Sequence, residues 1–306
     1  MANAKEIRER MNSVRDTAKI TNAMYLISST KMQKAKRSLE AARPYFETIH
    51  SKIENIFKDA DDVENSRYFV KEGPDIKLTG NIACLVVTAD KGLCGSYNIN
   101  VIRETERLLK KYPEATLYVI GEYGRRYFDR HGIAYDKSFI YRSQAPTLEE
   151  AREISDILLE QFDSGRSNRV YVLYTDMQTV MNSVSKYTRI LPFEVSDFKK
   201  NAAGRKMMKY EYFPSASAVL ETALRSLTAG FVYGALVASF CSEQNARMMA
   251  MESANDNAEK ILDELKLEYN RIRQAAITLE ITEISSGELA QKRKRMKEQA
   301  KEWKDQ

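Results

Sequence analysis

Apolar and small residues recur along the start of the chain at alternating steps of four and three. These positions are Ile7, Met11, Val14, Ala18, Thr21, Tyr25, Ser28, Met32, Ala35, Leu39 and Ala42, followed by Phe46, Ile49, Ile53 and Ile56. Such a heptad seam is typical of one strand of a two-helix coiled coil. Pro44 is expected to kink this helix, or to end and restart it, because proline removes one backbone donor and clashes with the preceding turn.

The end of the chain carries a matching pattern. No proline follows Pro214, and Ser215 or Ser217 can cap a helix. A second seam comprises Ala258, Leu262, Leu265, Tyr269, Ile272, Ala276 and Leu279. An unbroken helix from Ser215 to Gly287 would be roughly 110 Å long. Such a helix needs a partner along much of its course, and the N-terminal helix is available. We therefore predict an antiparallel two-helix coiled coil formed by both ends of the chain.

Between these helices the pattern alternates between strands and helices. Ile82–Ala89 is a continuous apolar run, as expected of a buried parallel strand. Further strands are predicted at Thr116–Ile120, Ile133–Ile140, Arg169–Thr175, Tyr187–Leu191 and Met207–Phe213. Helices are predicted at Asn98–Lys111, Glu122–Arg130 and Leu148–Phe162, the last capped by Thr147 with Glu150 completing a capping box. The alternation predicts an α/β domain with a largely parallel sheet and a hairpin-like end.

Composition limits the chemistry. The 306 residues are 43% hydrophobic and 30% charged with a net charge of only +5, which excludes a protein of the disordered acidic or basic class. Two histidines, His50 and His131, disfavour a histidine metal site or a Ser-His-Asp hydrolase. The three cysteines, Cys84, Cys94 and Cys241, match no zinc spacing. We expect them to be buried thiols in a reducing compartment.

No apolar signal region follows Met1, so we expect no secretory signal. The longest apolar-rich run, from Ala229 to Cys241, falls short of the roughly 20 residues that span a bilayer. The sequence therefore predicts a cytoplasmic protein without a membrane span.

The most site-like loop runs from Asp90 to Asn98, where the first strand gives way to a helix. Phosphates are often bound at such positions in α/β folds. The loop matches neither G-x-G-x-x-G nor G-x-x-x-x-G-K-[ST], however, and its two glycines suit a tight turn equally well. We favour a structural turn or an interface loop over a nucleotide site.

Positive charge is concentrated at the start of the chain. Residues 1–45 hold ten Lys and Arg against four acids. These bases form either the solvated face of a helix or a basic surface that meets an acidic protein surface or nucleic acid. Few aromatic residues accompany them, which argues against binding of single strands by base stacking.

Four segments together resemble one family. They are Ile7–Met24, Asp90–Gly95, Ala246–Asn257 and Tyr269–Ile284, and they resemble the γ subunit of bacterial F-type ATP synthases in this order. The resemblance extends from about residue 2 to about residue 287. It implies an α/β plus coiled-coil fold class, a long antiparallel two-helix coiled coil with a central Rossmann-like α/β domain. The implied segments are residues 1–58, 75–213 and 214–287, with a basic extension at 288–306.

The resemblance also implies a function. The γ subunit is the rotating central stalk that couples ion flow through a membrane ring of c subunits to ATP synthesis or hydrolysis. Its partners are the hexamer of α and β subunits, the ε subunit and the c ring, on the cytoplasmic side of the cell membrane. The family member has no catalytic residue, cofactor or metal of its own, does not enter the membrane and does not bind nucleic acid.

Five residues match family positions that contact other subunits. Arg273, Gln274 and Thr278 match residues that hold a loop of the catalytic subunit, and Met24 and Arg247 match positions where the stalk meets acidic segments.

The sequence departs from the family at Asn22, at Ser28–Thr30, at Ser96-Tyr97 and in a basic tail after Gly287 that includes Trp303. For this tail we weigh a frayed, solvated end against a contact with the outer crown of the hexamer.

Two alternatives from other classes remain. An α/β phosphotransferase or hydrolase would use the Asp90–Asn98 loop, and a basic coiled-coil protein would hold nucleic acid. Neither explains two long terminal helices around an α/β core.

Overall fold

Contacts between residues divide the chain into two units. The computed structural model describes residues 4–59, 66–70, 80–177, 179, 182–199 and 211–302, with side chains to Met296 in the last range. The first unit combines residues 1–24 with residues 251–306, and the second spans residues 25–250. The domain bounds that the resemblance implies, residues 1–58, 75–213, 214–287 and 288–306, stay predictions.

Helix α1 spans Ala4–Asp59, and all fifteen positions of the predicted seam are buried or half-buried. The helix continues through Pro44 rather than ending there. The prediction that the helix could end and restart at this residue is therefore wrong, and packing along the seam stabilises the helix on both sides of the proline.

Helix α6 spans Ala216–Glu302, and the Ser215 hydroxyl accepts a hydrogen bond from the Ala218 N–H at 3.2 Å. Met251, Ala258 and Leu265 are its most buried residues in the first unit, at the seven-residue spacing of a coiled coil. Thr21 donates to the Asn255 side chain in that unit. In the second unit, Cys241 approaches the carbonyl of Met32. In the same unit Phe46 of α1 packs against Tyr233 of α6. Within the second unit the contacts therefore run in opposite directions along the two helices, as the predicted antiparallel coiled coil requires.

A four-stranded sheet forms the centre of the second unit. Its strands are β2 (Ile82–Val87), β3 (Thr116–Ile120), β4 (Arg169–Met177) and β5 (Ser183–Leu191), in the order β3-β2-β4-β5. Strand β2 is parallel to both neighbours, with Leu85 opposite Tyr118 on β3 and Val172 on β4. Strands β4 and β5 form an antiparallel hairpin. The predicted parallel sheet with a hairpin-like end is confirmed.

Helices cover both faces of this sheet. Helices α2 (Tyr97–Lys111) and α3 (Glu122–His131) pack on one face, and α4 (Leu148–Asp163) packs with α1 and α6 on the other. Residues Cys84 and Val86 of β2 join the first layer, whereas Ala83, Leu85 and Val87 join the second. All six residues of β2 are buried, because each face of a central strand meets a helix layer. Thr147 caps α4 through the Glu150 N–H, as predicted.

The sequence did not reveal a second, two-stranded sheet. Strands β1 (Phe69–Val70) and β6 (Phe193–Glu194) pair in parallel, and the short helix α5 (Val195–Lys199) follows. Phe69, Phe193 and Phe198 pack there with Phe57 of α1.

The strand predicted at Ile133–Ile140 is wrong. Asp136 accepts hydrogen bonds from the backbone N–H and the hydroxyl of Ser138, and this local turn interrupts the extended run. A single bridge between Ile120 and Tyr141 replaces the expected strand. Most of the strand predicted at Met207–Phe213 lies outside the described residues.

By length and composition α6 also qualifies as a membrane-crossing helix. An 18-residue window between Ala216 and Met296 has a mean hydropathy of 1.4, and 67% of it is buried inside the protein. Burial of this kind is typical of the central helix of a packed domain, and the apolar character of the window is accounted for by the core of the second unit.

Candidate functional site

The Asp90–Asn98 loop lies at the carboxyl end of β2, and its first side chain ties three segments together. Asp90 Oδ1 accepts hydrogen bonds from the backbone N–H of Glu122, at 3.2 Å, and of Ser143, at 3.1 Å. The carboxylate therefore fastens this loop to the start of α3 and to the segment around Ser143. This arrangement supports the structural interpretation of the loop.

The rest of the loop is fixed by buried polar side chains. Asn98 Oδ1 accepts from the Ala89 N–H at 2.9 Å, and the Tyr97 hydroxyl donates to the Val87 carbonyl. Cys94 lies 3.3 Å from Asn98 Nδ2, and burial raises the pKa of its thiol. Burial also raises the pKa of Cys84, to about 12. Both thiols are protonated near neutral pH, and neither has the thiolate character of a nucleophile.

A second side of the loop is held by α6. Arg247 donates to the Gly92 carbonyl at 3.3 Å and forms a 2.8 Å ion pair with Glu243, one turn earlier on the helix. Ser143 donates to the other oxygen of Glu243 at 3.3 Å. Burial raises the pKa of Glu243, and Arg247 and the Ser143 hydrogen bond oppose that rise. The pair thus joins α6 to two loops at the carboxyl end of the sheet.

Two serines of α6 replace a missing strand partner beside β4. The Ser239 hydroxyl accepts from the Thr175 N–H and the Ser242 hydroxyl donates to the Thr175 carbonyl, both at 3.1 Å. Strand β2 pairs with β4 only as far as Leu173, so these backbone groups would otherwise be buried without a partner on that side. We name Ser239, Ser242, Glu243 and Arg247 the α6 polar strip.

The cleft above this end of the sheet is open, with a volume of about 870 Å³. Its basic residues are Lys91, Arg125, Arg126, Arg130 and Arg142. Arg125 is mostly buried and donates to the carbonyls of Val119 and Tyr141, so it holds the structure together. Arg125 and Arg126 lower the pKa of Glu122. Among the residues that the structure describes, no group of three His, Cys, Asp or Glu could hold a metal ion.

The residues predicted to contact other subunits fall in different environments. Arg273, Gln274 and Thr278 are exposed on α6, and Met24 is half-buried on α1. Gln274 and Thr278 lie one turn apart, and the Thr278 hydroxyl donates to the Gln274 carbonyl at 2.9 Å. Arg247 differs, because its side chain is only 10% exposed and binds within its own unit.

All ten bases in residues 1–45 are exposed. Lys19 forms a surface ion pair with Asp16, and Arg15 donates to Asn12. These bases give the first 45 residues an exposed cationic surface.

The α6 polar strip was not anticipated from the sequence. The available signal was its spacing, because polar residues at positions 239, 242, 243 and 247 interrupt one side of an otherwise apolar helix. Only the fold shows that their partners are Gly92, Ser143 and Thr175.

The comparisons with known proteins agree across nearly the whole chain. A family profile described as ATP synthase matches residues 3–290. The ATP synthase gamma chain of Caldanaerobacter subterraneus subsp. tengcongensis is 39% identical over 292 residues, covering 92% of this chain and 98% of that protein. The sodium ion specific gamma chain of Acetobacterium woodii is 33% identical, covering 93% of this chain and 97% of its own length.

Solved structures show the same fold. A chain of the Tetrahymena thermophila mitochondrial ATP synthase central stalk/c-ring structure matches with a TM-score of 0.56 and 24% identity, over 77% of this chain and 99% of that one. A chain of the Euglena gracilis mitochondrial ATP synthase matches with a TM-score of 0.60 and 17% identity, over 94% of both chains. The chain therefore belongs to the ATP synthase gamma chain family, the central-stalk subunits of the rotary ATP synthase.

Proposed function

We propose that the chain is the non-catalytic shaft of a bacterial F-type ATP synthase and turns inside a hexamer of α and β subunits. One observation carries the proposal. From Arg273 to Met296 every side chain of α6 is exposed, although the segment is rich in apolar residues. These are Ile277, Leu279, Ile281, Ile284, Leu289 and Met296.

The apolar residues of this segment do not form a single stripe. Successive residues of an α-helix are about 100° apart, so Ile277, Ile281 and Ile284 face one way while Leu279 and Leu289 face two others. A helix that is apolar on several sides is normally buried on several sides. The segment therefore suits a partner that encloses the helix, as a hexamer around a shaft would.

Arg273, Gln274 and Thr278 begin this exposed segment and supply the polar contacts of the proposed interface. The guanidinium of Arg273 and the amide of Gln274 can each donate several hydrogen bonds to a loop of a catalytic subunit. Met24 and the exposed bases of residues 1–45 would meet acidic segments of the same subunits. Arg247 would act indirectly, by holding the Asp90–Gly95 loop in place.

The remaining partners in this proposal are the ε subunit and the c ring, which would keep the chain on the cytoplasmic side of the cell membrane. A non-catalytic role is supported by the chemistry at the sheet edge. Asp90 binds backbone N–H groups of its own domain, and the two thiols of that region are buried with raised pKa values.

Co-expression of this chain with the α and β subunits of its own source, followed by native mass spectrometry, tests the proposal. We expect one copy bound to three α and three β subunits, with ATP hydrolysis that requires this chain. Hydrolysis by the isolated chain would favour the enzyme alternative. Assembly of active α and β subunits without the chain would contradict the proposed role, and salt-sensitive binding to duplex DNA would then favour the nucleic-acid alternative.

A further inference from the structure

Helix α6 carries a collar of positive charge beyond the part of the chain that the family profile matches. The profile ends at residue 290, while the helix continues to Glu302. Lys292, Arg293, Lys294 and Arg295 follow one another, and all four are exposed. We name these four residues the basic collar. In residues 288–296 they stand against a single acid, Glu288, which pairs with Lys292 at the surface.

The four bases surround the helix rather than marking one side of it. With consecutive residues about 100° apart, no sector of the circumference wider than roughly 100° lacks a positive charge. A helix that docks on a flat anionic surface, such as a lipid bilayer, concentrates its bases on one face at three- and four-residue spacing. Four consecutive bases are the arrangement expected where negative charge lies all around the helix.

In the neighbouring part of the helix, exposed apolar side chains likewise point in several directions around the axis. Leu289 and Ile284 are more than half exposed and face different directions, so the enclosing partner proposed for the apolar segment meets the collar without a break in the helix. The collar starts only three residues after Leu289, about 4.5 Å along the axis. The exposed surface of the helix therefore changes from apolar to positively charged within one turn.

We propose that the basic collar turns within a ring of acidic side chains contributed by the α and β subunits at the mouth of the hexamer. This inference rests on the proposed function. Charge that is spread evenly around the shaft interacts similarly with such a ring at every angle, so it would centre the helix without favouring one rotational position. Contacts between exposed charges of this kind are weakened by salt.

The experiment uses the complex of the full chain with its α and β subunits and compares five forms of the collar. They are the wild type, a variant with all four bases changed to Gln, two half-collars (Lys292→Gln with Arg295→Gln, and Arg293→Gln with Lys294→Gln) and a charge-preserving exchange of each Lys for Arg and each Arg for Lys. Gln, Lys and Arg have similar helix propensities, so the helix is retained. The measurement is the rate at which the chain leaves the hexamer at low and at high KCl. Native mass spectrometry of samples taken over time monitors this dissociation.

We expect the fully neutralised chain to dissociate roughly tenfold faster than the wild type at low salt, with the difference lost in about 1 M KCl. The two half-collars should each lose a similar part of this effect, and the charge-preserving variant should behave as the wild type. Equal dissociation of the neutralised and wild-type chains would overturn the inference. So would an effect confined to one half-collar, because that would indicate a one-sided partner. If the wild-type chain fails to assemble at all, the proposed function fails first and the inference fails with it.

Discussion

Glu243 and Arg247 lie one turn apart on α6, and their 2.8 Å ion pair has side chains only 5% and 10% exposed. Desolvation makes each charge costly by itself, so each depends on the other and on the hydrogen bonds to Ser143 and Gly92. The pair fastens the central helix of the second unit to the loops at the sheet edge.

Removal of one member of this pair should be strongly destabilising. We expect Arg247→Met to lower the free energy of unfolding by about 3–5 kcal/mol, because it leaves the Glu243 carboxylate buried without its partner. Urea denaturation of the purified chain measures the loss. Arg126→Met is the matched control, since the Arg126 ion pair with Glu122 is exposed and should contribute about 1 kcal/mol or less. Similar losses for both variants would contradict the role of the buried pair.

The same variant should make stability more sensitive to pH. Burial raises the pKa of folded Glu243 above its usual range, and Arg247 opposes that rise. A carboxyl with a raised folded pKa favours the folded state most below its unfolded pKa, and stability falls as pH increases through the folded pKa. Arg247→Met should therefore lose more stability at pH 8 than at pH 5. The double variant Arg247→Met with Glu243→Gln should lack this additional slope, and an unchanged slope in the single variant would exclude the explanation.

Ser239 and Ser242 form hydrogen bonds with the backbone of Thr175, so their hydroxyls should contribute more to the free energy of unfolding than those of surface serines. We expect Ser239→Ala and Ser242→Ala each to cost about 1–3 kcal/mol, because each leaves a buried backbone group without that partner. Thermal unfolding compares them with Ser38→Ala on α1, whose exposed hydroxyl bonds only to its own helix. A cost for the two α6 variants no larger than for Ser38→Ala would show that water replaces the serines.

The sequence predicted those elements whose pattern depends on local geometry. The seam of α1 and the buried run of β2 follow from helical and strand periodicity, and the Thr147 cap follows from a short motif. The turn at Asp136 was missed because a side-chain hydrogen bond overrode an apolar pattern typical of a strand. The strip on α6 could not be assigned, because its partners lie 64 or more residues away in sequence and are mostly backbone atoms.

Gly121 should tolerate no side chain. Its φ of 93° is unfavourable for L-residues, and an added Cβ would overlap the carbonyl of Thr88. We expect Gly121→Ala to destabilise the chain by on the order of 3 kcal/mol, from backbone strain and overpacking together. Gly132→Ala is the matched control, because Gly132 also has a positive φ, of 65°, but has open space around it. Its cost should be about 1–2 kcal/mol, from strain alone. Equal melting temperatures for the two variants would contradict the packing argument.

Arg273 and Gln274 provide the test of the proposed contact with the catalytic subunits. Both side chains are exposed, so the double variant Arg273→Ala with Gln274→Ala should leave the unfolding transition of the isolated chain unchanged. In the complex it should lower the rate of ATP hydrolysis roughly 30-fold, because truncation of an anchoring arginine at an interface commonly costs about 2 kcal/mol and each ~1.4 kcal/mol is a factor of ten in rate. The control is Glu264→Ala with Lys266→Ala, two exposed residues earlier on the same helix. If hydrolysis stays at the wild-type rate in the first variant, or falls equally in both, Arg273 and Gln274 do not form the proposed contact.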